Sequence, residues 1–374
     1  MLPIIDDTFY MKLAIDLAER VIGQTSINPA VGCVIVKDGR VVGLGAHLKR
    51  GEGHAEVHAL RMAQAEAAGS TAYVTLEPCS HYGKTPPCSL RLIEAGVKRV
   101  VIACTDPNPV VAGNGVRILE EHGIEVKQGV LQEEAFHLIE MFAKYMTTKL
   151  PYVTLKTAQT LDGRIATHTG HSQWITNDLA RERVHTMRHR HQAIMVGIGT
   201  IEADNPSLTT RLSVPALHPV RIIVDSKLRI SLEAKVIQDK IAPTWILTTS
   251  QASKAKISEL EKRGVSVIVV NDGPLVDMRE ALKEIGKREI GSILLEGGGT
   301  LNGAMLQSGL IDSIVLMIAP KIVGHKEAPG SFMFDGPEKM SDALELEQVR
   351  VESIGDNVII SGVPLYPSQE KGGL

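Results

Sequence analysis

Apolar runs of strand length alternate with amphipathic stretches of helix length along the whole chain, and this alternation confines the fold to the α/β class. In the first half it predicts strands over 31–36, 72–76 and 97–103, and helices over 55–67, 89–95, 116–122 and 133–148. Pro151 then halts the helical pattern and a strand over 152–157 begins, because a proline disfavours helix at the residue before it. The boundary between two domains falls near residues 146–151. The second half repeats the pattern, with strand-like runs at 193–197, 221–224, 244–247, 265–270, 290–295 and 314–318. Two late strands, near 344–352 and 357–360, have no helix between them and predict an antiparallel hairpin closing the second sheet. The tail from Pro364 to Leu374 is expected to fray. There is no internal repeat and no low-complexity segment.

A length of 374 residues at 44% hydrophobic content supports a core in each half. The net charge of −3 argues against a protein held on nucleic acid by a general excess of Lys and Arg, while leaving room for a local basic pocket. Residues 1–20 read as an acid-containing amphipathic helix rather than a secretory signal, and no segment reaches the length of a membrane span. Four cysteines without an export signal point to a reducing compartment, and the cytoplasm is the expected location.

The strongest chemical signal is His54-Ala55-Glu56, followed by Pro78-Cys79 and, after eight residues, Cys88. One imidazole and two thiolates suit zinc, and three protein ligands leave a fourth position for water. Glu56 is then the group that shuttles a proton onto a departing amine. Residues two apart on a regular helix point away from each other, so His54 and Glu56 share a site only at an irregular or N-terminal turn. Gly51 and Gly53 supply such an approach. Cys88 follows Pro86-Pro87 and opens the next helical pattern, where a helix N-terminus favours thiolate. Against this stand a structural histidine and two ordinary buried thiols or a loop disulfide. A protease-type pairing of His54 with His58 needs Glu directly after the first His, and here it comes one residue later. His58 reads as a helix-face or supporting residue, and Cys33 and Cys104, inside apolar strands, as core.

The general zinc-deaminase pattern pairs His-x-Glu with Pro-Cys-x-x-Cys. Here the two cysteines are separated by Ser80-His81-Tyr82-Gly83-Lys84-Thr85-Pro86-Pro87. That insertion, and the run from Asn28 through Val36, resemble the deaminase half of bifunctional riboflavin biosynthesis proteins of the RibD/RibG type. The resemblance implies a cytidine-deaminase-like three-layer domain over 1–148 and a diaminopyrimidinone ribosylamine 5′-phosphate that loses its ring amino group as ammonia. It also implies that Asn28 and His47 contact this substrate, with His81 and Lys84 facing its phosphate and Asp106 and Asn108 nearby. From the residues themselves, His81 and Lys84 sit in a loop tied at both ends to the metal ligands, which suits anion capture; either also reads as a solvated loop residue.

The resemblance continues through Lys156-Thr157-Ala158-Gln159-Thr160-Leu161-Asp162-Gly163, Trp174-Ile175-Thr176-Asn177, Val196 to Thr200, Ala203 to Thr209, Val224-Asp225-Ser226 and Leu295 to Gly303. These are similar to the reductase half of the same family, implying a dihydrofolate-reductase-like domain over 149–366 that uses NADPH to turn a ribosyl chain into ribityl. The physical case is strongest at the glycine run from Gly297, which follows an apolar strand and opens a helical pattern. Glycines let a phosphate approach the backbone, and a helix N-terminus offers it free N–H groups. Gly298 is expected to hold a positive φ. The run is not a Rossmann fingerprint, since Asn302 stands where the last glycine would be, and a glycine turn serves sheet-to-helix packing equally well. The cluster Arg181, Arg183, Arg188, His189 and Arg190 reads on its own as a solvated helix face. By resemblance, Ser172, Arg188, Leu208, Arg211 and Glu296 contact substrate and Lys156 lies near the reacting sugar. Ala158, Trp174, Thr200, Asp204, Ser226, Gly298, Gly299, Thr300, Leu301, Asn302, Gly303 and Ala304 contact cofactor.

Two other functions fit parts of the pattern: a nucleic-acid base deaminase with an unrelated C-terminal domain, and a zinc-stabilised scaffold without catalysis. The long cysteine loop and the lack of a basic stripe weigh against the first. Glu56, which a structural zinc site does not require, weighs against the second. The expected partners are a small phosphorylated pyrimidine and further copies of the chain, with neither nucleic acid nor membrane.

Overall fold

A computed structural model describes residues 4–82, 86–109 and 111–367 of the chain. Its contacts divide it into two compact units, Met1–Lys149 and Leu150–Leu374.

The first unit runs α1 (Asp7–Glu19), β1 (Gly32–Lys37), β2 (Arg40–Ala46), α2 (Ala55–Ala63), β3 (Thr71–Leu76), α3 (Cys88–Glu94), β4 (Arg99–Cys104), α4 (Asn114–Glu121), β5 (Glu125–Gln128) and α5 (Gln132–Thr148). Its sheet has the order β2-β1-β3-β4-β5. The β1 strand is antiparallel to both neighbours, and β3, β4 and β5 are parallel. The two faces are set by strand alternation. A side chain at Gly32 would strike the Ala14 carbonyl on α1, whereas Gly45, the cross-strand partner of Cys33, lies under the Ala55 carbonyl on α2. Gly43 meets α2 at Ala59 in the same way. Helix α2 therefore rests on β2 backbone against backbone, which fixes where its N-terminus projects.

Two strands were not expected. The β2 strand carries Gly43 and Gly45, which weaken a strand pattern but are what the close approach of α2 demands. The β5 strand, Glu-Val-Lys-Gln, is a mostly exposed edge with no apolar run to mark it. The expected helix over 55–67 ends as α-helix at Ala63 and finishes in a 3₁₀ turn, Gln64–Ala67. Cys33 and Cys104 lie in the core.

The second unit runs β6 (Tyr152–Thr160), α6 (Asp178–Arg190), β7 (Ala193–Gly197), α7 (Ile198–Asp204), β8 (Val220–Val224), α8 (Lys235–Gln238), β9 (Thr244–Thr249), α9 (Lys254–Lys262), β10 (Ser266–Asn271), α10 (Met278–Lys287), β11 (Ser292–Leu295), α11 (Gly299–Gln307), β12 (Ser313–Ala319), β13 (Glu345–Ile354) and β14 (Asn357–Leu365). These strands form one sheet in the order β10-β9-β8-β7-β11-β6-β12-β14-β13. It is parallel from β10 to β12, and the closing hairpin is antiparallel. The tail is ordered further than expected: Pro364 and Leu365 of β14 pair with Leu346 and Glu345 of β13, and the Tyr366 hydroxyl donates to the Ile311 carbonyl. Residues 368–374 lie outside the described chain.

Candidate functional site

In the first unit, His54 is the extended N-cap of α2 and Glu56 the second residue of its first turn, so the two side chains meet where the helix has not yet established its period. Cys79 follows β3, and Cys88 is the first residue of α3. His54 Nδ1 lies 3.6 Å from the Cys79 sulfur and 3.4 Å from the Cys88 sulfur. All three ligand atoms fall within 4.8 Å of one another. Around a tetrahedral zinc with Zn–S near 2.3 Å and Zn–N near 2.0 Å, neighbouring nitrogen and sulfur ligands stand roughly 3.5 Å apart. The residues present fit that ion.

The two cysteine side chains are hydrogen-bonded to each other. A hydrogen bond from the Cys88 thiol, together with others from His54 and the Cys88 backbone N–H, pulls Cys79 down to about 4. The same bond to Cys79, with burial, raises Cys88. Glu56 is 3% exposed, and its Oε2 has no hydrogen-bond partner among the described residues. Burial, and then the Cys79 charge, push it up to about 7.

These groups face a cavity of about 230 Å³ lined by Asn28, His47, His54, Glu56, Glu77, Cys79, His81, Asp106 and Asn108, with Phe142 and Met146 of α5. His47 Nδ1 lies 3.3 Å from the Gly53 carbonyl, which only accepts, so its Nε2 accepts from the Asn28 amide at 3.2 Å. Burial lowers the pKa of His47, consistent with that neutral tautomer. Burial raises the pKa of Asp106, whose Oδ1 accepts from the Asn108 backbone N–H. Lys84 lies outside the described residues.

In the second unit a cleft of about 760 Å³ opens at the C-terminal ends of β7, β8 and β11, where parallel sheets bind ligands. It gathers Ser172, Thr200, Asp204, Ser226, Gly298, Gly299, Thr300, Leu301 and Ala304. Ala158, Trp174, Asn302 and Gly303 do not line it. Trp174 is 60% exposed with its ring under the Arg181 guanidinium. Asn302 is fully buried and donates to the Ser331 carbonyl, and Gly303 lies beneath the Met333 backbone. Gly298 corrects an expectation: its φ is −71°. A side chain there would point at open space, its nearest neighbour the Thr200 hydroxyl at 3.9 Å. Leu208 has a left-handed φ of 52° and packs into the core rather than facing a cavity.

Beside the glycine run, Glu296 receives Arg188 in a two-pronged ion pair at 2.7 and 3.0 Å, and Lys156 lies 3.9 Å away. Burial alone would raise Glu296, but Arg188 and Lys156 hold it down at about 2. Burial lowers the pKa of Lys156. Burial, and then the Arg188 charge, lower the pKa of Arg211. The expected solvated face of α6 is thus divided: Arg188 turns inward, while Arg183 pairs with Glu352 on β13. Sequence reasoning missed His185, whose Nδ1 accepts the Arg211 backbone N–H and which burial, then Arg188 and Arg211, lower to about 4. It also missed Glu77, Phe142 and Met146.

A three-layer unit bearing a three-ligand zinc centre, followed by a largely parallel sheet with a cofactor-sized cleft, defines a two-domain enzyme that joins a zinc deaminase to a reductase. Family models match along the same division. Residues 5–104 match the cytidine and deoxycytidylate deaminase zinc-binding region, and residues 151–360 the RibD C-terminal domain. The chain is 45% identical to the riboflavin biosynthesis protein RibD of Bacillus amyloliquefaciens over 96% of each chain. It is similar to a solved Acinetobacter baumannii RibD (TM-score 0.87, 40% identity, 96% of this chain and 99% of that one). It is likewise similar to a Thermotoga maritima structure described as a diaminohydroxyphosphoribosylaminopyrimidine deaminase and 5-amino-6-(5-phosphoribosylamino)uracil reductase (TM-score 0.83, 38% identity, 96% and 99%). The chain belongs to the RibD family, the bifunctional deaminase and reductase of riboflavin biosynthesis. Its first domain is cytidine-deaminase-like and zinc-binding, and its second, dihydrofolate-reductase-like, uses NADPH as its family does.

Proposed function

We propose that residues 1–148 remove the ring amino group of a diaminopyrimidinone ribosylamine 5′-phosphate as ammonia, and that residues 149–366 reduce the ribosyl chain of the product to ribityl. The observation that carries this reading is the buried oxygen of Glu56, unpartnered among the described residues, beside three converging ligand atoms. His54, Cys79 and Cys88 would hold a zinc ion, which would supply the Lewis acidity that makes water nucleophilic near neutral pH. Glu56, pushed up to about 7, takes the proton of the attacking water and returns it to the departing amine. Asn28 and His47, hydrogen-bonded to each other, hold the pyrimidine; His81 and Lys84 face its phosphate, with Asp106 and Asn108 nearby.

NADPH bound in the second domain would supply the hydride for reduction at C1′ of the sugar. Thr200, Asp204, Ser226 and the run Gly298, Gly299, Thr300, Leu301 and Ala304 hold this cofactor at the start of α11. Lys156 lies at the reacting sugar, and Arg188 and Arg211 meet the substrate's negative charge while Glu296 keeps the two nearer cations in place. Four free cysteines suit a reducing cytoplasm. The exposed edge strand β13, with Val349 and Val351 facing solvent, suits a homo-oligomer, which light scattering would measure.

Incubation of the purified chain with the diaminopyrimidinone ribotide, with and without NADPH, tests both reactions. Ammonia and the ribosylaminouracil should form without NADPH, and the ribityl product only with it. Release of ammonia from single-stranded oligonucleotides instead would overturn the substrate.

A further inference from the structure

Glu77 follows the last residue of β3, immediately before Pro78-Cys79, is 5% exposed, and lines the deaminase cavity. Among the described residues its side chain has no cationic partner; it is filled by backbone amides. Oε2 accepts from the N–H groups of Asp106 (3.2 Å) and Gly113 (3.0 Å), and Oε1 from those of Gly115 (2.8 Å) and Val116 (3.4 Å). Its own N–H donates to the Cys104 carbonyl at the end of β4. One carboxylate therefore ties the start of the segment after β4 to the first turn of α4. The contact is built from both sides, since a side chain at Gly115 would strike the Pro78 carbonyl and the Glu77 carboxylate. With both oxygens occupied twice, Glu77 has no acceptor capacity left for a ligand.

We propose that Glu77 is a positioning residue of the deaminase: from just past the strand end that also delivers the ligand Cys79, it holds residues 105–109 so that Asp106 and Asn108 stand over the pyrimidine cavity at a set distance from the metal centre. This rests on the reading of that cavity as the substrate site. The isostere Gln cannot replace it, because one of its two terminal atoms is an NH₂ group and would face a pair of N–H donors whichever way the amide turned. The segment would come loose while His54, Cys88 and Glu56, which make no bond to Glu77, keep their places.

The test is Glu77→Gln in the full chain, measured for zinc content and for deamination of the diaminopyrimidinone ribotide. The expected result is full zinc, kcat within about twofold, and KM raised about tenfold or more, as for a buried polar network left half-satisfied. Glu77→Asp, which keeps both acceptor oxygens on a shorter stem, should fall between the two, and carries the same comparison if the Gln variant does not fold. Combining Glu77→Gln with Asn108→Ala should cost little beyond Asn108→Ala alone, because the two act through one segment. Loss of zinc, an equal fall in kcat and kcat/KM at unchanged KM, or strictly multiplicative effects with Asn108→Ala would overturn the proposal. If Asn108→Ala and Asn28→Ala both left KM unchanged, the reading of the cavity would fail instead.

Discussion

Glu56 is a buried acid beside the part-buried Cys79, and burial does more than the Cys79 charge to keep its proton on. Glu56→Gln keeps the shape of the side chain and replaces none of the three ligand residues. It should hold zinc at the unmutated level by metal analysis while ammonia release falls by about a hundredfold or more. Appreciable residual deamination would remove the proton shuttle from Glu56. His191 gives a second residue-scale prediction. It is 6% exposed, its Nδ1–H donates to the Met187 carbonyl, and its Nε2 accepts from the Thr154 hydroxyl. Burial lowers it from an ordinary 6.5 to about 4. The unfolded chain therefore binds this proton first, and the stability due to the neutral ring is complete above pH 6.5 and lost as pH falls towards 4. The loss amounts to ~3 kcal/mol. Urea midpoints measured across that window should fall more steeply for the unmutated chain than for His191→Gln. Parallel curves would remove His191 from the acid sensitivity.

At the scale of elements, Gly298 caps α11 in extended conformation with open space beside it, so Val there is tolerated by the backbone and projects into the cleft. Gly298→Val should leave the melting temperature nearly unchanged and raise the KM for NADPH about tenfold or more by blocking close approach to the helix N-terminus. Normal use of NADPH by the folded variant would move the cofactor elsewhere. Elements whose pattern is apolar were legible: the β3 and β4 strands, the helices α2 and α5, and the terminal hairpin all fall within a few residues of where periodicity predicts them. The β2 and β5 strands were not, because one is built of glycines that another element requires and the other is polar. The same division holds among side chains. His54, Glu56, Cys79 and Cys88 announce themselves by residue type and spacing. Glu77 and His185 accept backbone amides from residues 29–39 and 26 positions away, and nothing in the identity of an amide donor marks it in a sequence.

At the scale of the whole molecule, each unit has its own sheet and its own core, and the metal centre and the glycine cleft fall on opposite sides of residue 150. Sites with no shared side chain should respond independently: Glu56→Gln, given the deaminated ribosylaminouracil, should oxidise NADPH within about twofold of the unmutated rate. A folded Glu56→Gln chain that had lost both activities would contradict the division. Two closed units on one polypeptide also have a meaning for supply and demand in the cell. Every molecule made carries one centre that generates the intermediate and one that consumes it, at a ratio that no change in expression can alter. At given substrate and NADPH levels the steady level of that intermediate is then set by the ratio of the two catalytic efficiencies and not by the amount of protein, and a substitution in either half shifts it as surely as a change in the dose of a separate gene.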